Sequence, residues 1–209
     1  MARPPLELTR AQILVFRRRV GALDERLPRG ARSLRQAAWA GLQDSMPRAA
    51  LLSIHARVEG TRPSTWEDPS LVQVWGPRFS VFVVPARDHA IFTLGRHPDD
   101  ARGRTRAEDL AALMHGFLRG RRMTDRELGT GIRVDNRMRY ATTTGTFLIR
   151  WEGARAPVVW SVPAPEIDPL DARRELVRRS STSTARRRRR RSRSGPASVR
   201  QKPEWRSTC

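Results

Sequence analysis

The chain has 209 residues, with 41 Lys+Arg against 21 Asp+Glu and a formal net charge of +20. That length allows one or two domains of roughly 100–200 residues each, and no window approaches the roughly 20 apolar residues of a membrane span. The start, MARPPLELTR, lacks the apolar stretch of a secretory signal. The single cysteine, Cys209, excludes a disulfide framework and a cysteine-based metal site, which suits a reducing cytosol.

The charge is unevenly placed. Residues 180–209 hold ten Lys+Arg and one Glu, six of the arginines in an unbroken run at 186–191, so this tail carries +9 and the body +11. Arginine supplies almost all of it, Lys202 being the one lysine. A basic body favours a polyanionic partner, nucleic acid first. The plainer alternative is arginines spread over solvated helix faces.

Capping boxes, a Ser/Thr followed three residues later by Glu/Gln, mark helix starts at Thr9 with Gln12, Ser33 with Gln36 and Thr124 with Glu127. Helices are expected over 9–21 and 34–42. A third, over 47–58, begins at Pro47, with Asp44 or Ser45 placed to cap nearby. The period then changes. LVQVW (71–75), FSVFVVP (79–85) and HAIFTLG (89–95) are β-branched and aromatic and read as strands. The pattern recurs: helices over 106–118, 124–128 and 134–143, then strands at 146–151 and 156–162. Three helices followed by a β-hairpin, twice over, predict an α+β fold of tandem winged-helix units, 8–100 and 104–163. A Pro-rich linker and the start of another helix follow over 164–179.

In a winged helix the third helix enters the major groove and the hairpin touches the backbone. The groove-facing candidates are Arg48, His55 and Arg57 in the first unit and Asn136, Arg137, Arg139 and Tyr140 in the second. Asn and Arg read base edges bidentately, and other arginines bind phosphate. The same residues serve equally as solvated faces of packed helices. Trp39, Trp75, Trp151 and Trp160 lie in apolar patterns and are expected in the core, whereas Trp66, in STWEDP, stands in a loop as a stacking platform or a packing residue. The histidines at 55, 89, 97 and 115 show no metal-ligand spacing, and nothing calls for a cofactor.

Three stretches, RQAAWAGLQDSMPRAALLSIHARV (35–58), WEDPSLVQVWGPRFSVFVVP (66–85) and RYATTTGTFLIRWEG (139–153), resemble the N-terminal portion of the AlkZ/YcaQ-type DNA glycosylases. These are winged-helix proteins, several of which unhook crosslinking or bulky alkylated bases. The resemblance spans about residues 8–179 and implies double-stranded DNA as the partner, with neither metal nor membrane involved. Glycosylase members carry a Gln-x-Gln motif whose amides position the attacking water. Here the aligned stretch is GLQDSMP: Gln43 matches the first glutamine and Ser45 falls on the second. Ser45 is too short to hold the same water, and Asp44 is either a base or the cap of the next helix. DNA binding without excision, active excision of alkylated bases, and an inactive truncated product are the three readings this leaves.

The resemblance also bears on the tail. Family members continue with a segment like RYLHVYGPATPAAFAVWAGI, which opens a third winged helix. Deleting one base from its second codon, in a back-translation, yields RSSTSTARRRRRRSRSGPAS, the sequence at 179–198. The expectation is a disordered tail over 180–209, read out of frame; the competing view is a genuine arginine-rich arm.

Overall fold

A computed structural model describes residues 8–46, 48–134, 136–151 and 156–184. It combines helices with one six-stranded sheet. The arginine run and the rest of 185–209 lie outside the described residues.

Helix α1 (Arg10–Val20) begins with a complete capping box, Thr9 accepting from Gln12 N and the Gln12 side chain reaching back. Helix α2 (Ala31–Ala37) begins two residues before Ser33, after Gly30, and Ser33 is buried inside it instead of capping. Strand β1 (Leu42–Gln43) leads into α3 (Ala49–His55), a 3-10 turn (Pro63–Glu67), β2 (Leu71–Trp75) and β3 (Val81–Pro85). The second half repeats this order with α5 (Ala101–Leu118), β4 (Met123–Thr124), α6 (Asp125–Gly131), a 3-10 run (Asn136–Thr144), β5 (Phe147–Arg150) and β6 (Val158–Ser161). Between the halves lies α4 (His89–Thr93), and α7 (Pro169–Thr184) closes the described fold.

The helix expected over 34–42 stops at Ala37, and Leu42 belongs to β1; two further expectations are corrected here. HAIFTLG is helical, α4 running into a 3-10 turn at Leu94–Arg96, and not a strand. Every residue from Ala90 to Leu94 is buried, so the segment has no polar face whose spacing would separate helix from strand. The helix expected over 134–143 is a 3-10 run. The hydroxyls of Thr142, Thr143 and Thr144 each donate to the carbonyl three residues back, a local bond that holds the tighter spacing.

The sheet order is β1-β3-β2-β5-β6-β4, so the two halves share a single sheet, joined by β2 and β5. The register shows how. Val83 faces Leu42 on one side and Gln73 on the other; Val159 faces Met123 and Ile149. Gln73 and Ile149 then face each other across the antiparallel β2–β5 junction. Gln73 and Ile149 are thus equivalent positions of the two halves, and a pseudo-two-fold axis passes between them. Beyond the strands the equivalence holds: Asp44 N–H donates to Val81 O at 2.7 Å, and Asp125 N–H to Pro157 O at 2.8 Å.

One face of the sheet packs on two adjacent helix sets. Leu34, Ala50 and Ile54 cover Leu71 and Val83 in the first half, while Met114, Leu118 and Leu128 cover Phe147, Ile149 and Val159 in the second. On the other face α4 and α7 meet over Val74, Val84 and Leu148, with Phe92 and Leu176 between. Helix α7 runs five residues past Arg179, the limit of regular patterning in the sequence, to Thr184. Arg179 fastens it: its guanidinium donates to Glu175 (2.7 Å), Asp88 (2.8 Å) and the Trp39 carbonyl (3.0 Å).

Candidate functional site

The turn after β1 carries the residues aligned with the Gln-x-Gln motif. Gly41 sets it up with a left-handed backbone (φ +80°), and a Cβ there would stand 2.8 Å from the Phe92 ring. A side chain at 41 is therefore disfavoured twice, by conformation and by space. Strand alternation then sends Leu42 and Asp44 inward and leaves Gln43 and Ser45 exposed. The Gln43 amide donates to Ser45 Oγ at 2.7 Å.

Asp44 is fully buried. Its Oδ1 accepts from Ala50 N–H in the first turn of α3 at 2.9 Å, and its Oδ2 accepts from Gln73 Nε2 at 2.5 Å. The other end of the Gln73 amide accepts from Trp151 N–H at 2.7 Å. A relay of three hydrogen bonds therefore runs from the start of α3, through Asp44 and Gln73, to the second half at the pseudo-dyad. Burial raises the Asp44 pKa, and the bonds from Ala50, Gln73 and Ala49 partly offset this. With both oxygens engaged inside the protein, the carboxylate caps the first turn of α3 and ties it to β2. Its counterpart Asp125 is also raised by burial, against a bond from Arg126 and the charge of Arg139.

The groove candidates of the first half sit at the two ends of α3. Arg48 stands exposed at the start of α3 with a left-handed backbone (φ 67°). His55 and Arg57 lie at the far end of the helix, where His55 Nδ1 is 2.7 Å from Thr61 Oγ1 and the Arg57 guanidinium donates to Ser53 O at 2.7 Å. Burial lowers the Arg57 pKa. Arg26 donates to the carbonyls of His55 (2.7 Å) and Val58 (2.6 Å), a cation at a helix C-terminus.

In the second half, the Asn136 side chain lies outside the described residues, while Arg137 is exposed. Arg139 lies over the Trp75 ring at 5.8 Å. Tyr140 packs edge-on against Phe79 (4.9 Å between ring centroids), with Arg106 over the Tyr140 ring and Arg96 over Phe79, at 4.7 and 4.3 Å. Arg96 also donates to Trp75 O at 2.7 Å, and burial lowers its pKa to about 10. This stack of two arginines and two rings seats the β2–β3 turn on the 3-10 run of the other half. Tyr140 and the tip of the first hairpin are accordingly engaged in joining the halves.

Gln73 is the residue that motif reading passes over. Its signal is visible: an amide at the middle of LVQVW, on the inward side with Leu71 and Trp75, must find partners there. Among the described residues no group of three or more His, Cys, Asp and Glu could hold a metal ion. No helix among them is long and apolar enough to cross a membrane.

No protein-family model and no curated protein matches the sequence. Among solved structures, the fold is similar to Streptomyces sahachiroi DNA glycosylase AlkZ, with a TM-score of 0.64 and 14% identity over 86% of this chain. The matched part spans 58% of that protein's length. At this identity the likeness is one of fold, an AlkZ-like combination of helices with a shared antiparallel sheet.

Proposed function

We propose that the protein binds double-stranded DNA as a tandem winged-helix module related to alkylation-damage glycosylases, and that it does not itself excise bases. The observation that carries this reading is the doubled half. A helix–strand–helix–3-10–hairpin unit occurs twice about a pseudo-dyad, in a body with a surplus of eleven positive charges. The winged-helix units are 8–100 and 104–163, and 164–179 links onward. Arg48 and Arg137, both exposed, contact phosphate, while Arg139 and Tyr140 act through packing. Base excision is disfavoured by two features of the turn: Asp44 has both oxygens engaged, and the second motif position is the short Ser45. The exposed amide of Gln43 favours a second reading, a glycosylase that orients water through this residue alone.

Titration of a fluorescent duplex at increasing salt tests the first reading. The logarithm of the association constant is expected to fall linearly with the logarithm of salt, with a slope of about −0.9 per phosphate neutralised. A slope near zero removes it. Incubation with alkylated duplex separates the two readings: abasic product that disappears in Gln43→Ala establishes excision, and its absence supports binding alone on the substrates used.

A further inference from the structure

The β2–β5 junction has one paired position, Gln73 with Ile149. Past it Trp151 N–H is bound by the side chain of Gln73, and a slot of about 230 Å³ opens between the strands. Two indoles and two guanidiniums line it. Arg122 lies over the Trp160 ring at 4.6 Å and Arg150 over Trp66 at 5.2 Å, with Glu67 on the rim beside Trp66. Neither arginine has a salt-bridge partner among the described residues. Each guanidinium sits over an indole, and its N–H groups are left for an acceptor from outside. The slot is small and drawn from both halves: Trp66 from the first, Arg122, Arg150 and Trp160 from the second.

We infer that this slot takes an unpaired nucleobase of bound DNA, stacked against the indole and guanidinium planes, with Arg122 and Arg150 donating to its phosphate or its edge oxygens. Every base offers a π-face, and stacking on tryptophan or arginine is tolerant of sequence. The volume admits one planar ring system and no duplex. The slot would therefore favour DNA with a nucleotide already out of the stack, because a paired base must first be unstacked. The inference rests on the DNA-binding reading and adds to it a preference for a displaced nucleotide.

The test uses the full chain and two duplexes, one fully paired and one carrying a single extra 2-aminopurine. The chain is expected to bind the bulged duplex at least about fivefold more tightly, the scale of one stacked base, and to quench the 2-aminopurine fluorescence. Trp66→Leu and Trp160→Leu should abolish both effects and keep affinity for the paired duplex, whereas Trp160→Phe should retain the preference. Equal affinity for the two duplexes with unquenched 2-aminopurine overturns the slot and leaves the DNA-binding reading intact. So does a preference that survives both leucine variants. Failure to bind either duplex overturns both.

Discussion

Burial raises the pKa of Asp44, yet each hydrogen bond it makes requires an acceptor. The relay has a direction. Ala50 N–H and Gln73 Nε2 both donate to the carboxylate, and Trp151 N–H donates to Gln73 Oε1. An asparagine at 44 would satisfy Ala50 and set its own NH₂ against that of Gln73; flipping Gln73 would only move the clash to Trp151. Asp44→Asn is therefore expected to lower stability by about 1–3 kcal/mol, the range for one unsatisfied buried polar group, read by urea denaturation at neutral pH. Asp44→Asn as stable as the wild type would show that the relay is not holding the turn. In the sequence Asp44 was legible as either base or cap. The choice depends on Gln73, twenty-nine residues further on, which no local pattern connects to it.

At the scale of elements, α7 is held to the fold by charge as much as by apolar contact. Its Ala172 is fully buried, while Leu170 and Val177 are exposed at 51% and 58%. Glu175 binds Arg178 and Arg179 on the same helix, and the bond from Arg178, ahead of that from Arg179, takes its pKa from 4.5 to about 2. A depressed carboxylate contributes stability that is present above its unfolded value and lost as pH falls through the folded one. The gap in Tm between wild type and Glu175→Gln should accordingly be widest above pH 4.5 and close as pH falls towards 2. A gap that stays constant across that window would detach the helix from this ion pair. Elements whose signals are local were readable in advance: the Thr9 and Thr124 boxes begin their helices as spaced. Ser33 and the 89–95 run were not, because the start of α2 and the helicity of α4 are decided by what buries them.

For the whole molecule, the β-branched and aromatic runs announced hairpins, and the repeat of helices and hairpins announced two halves. What composition could not announce was that the halves share a sheet, since the junction pairs residues 73 and 149. The junction is reinforced by the Asp44–Gln73–Trp151 relay and by the stack of Arg96, Phe79, Tyr140 and Arg106. The halves should therefore unfold together. Calorimetry is expected to give one transition with equal calorimetric and van't Hoff enthalpies. Two resolved transitions would mean that the shared sheet does not couple them.

The pseudo-dyad also settles the fate of the sheet's edges. The junction has the geometry of an isologous interface, as between two copies of one subunit, here enclosed within a single chain. Joining by equivalent edges places the longer strands β2 and β5 in the middle and turns β1 and β4 outward. These outer strands are two residues each. A head-to-tail joint would instead have left β2 or β5, strands of five and four residues, bare and ready to template a further chain into a growing ribbon. The symmetric joint gives the protein a sheet with two ends, both too short to extend.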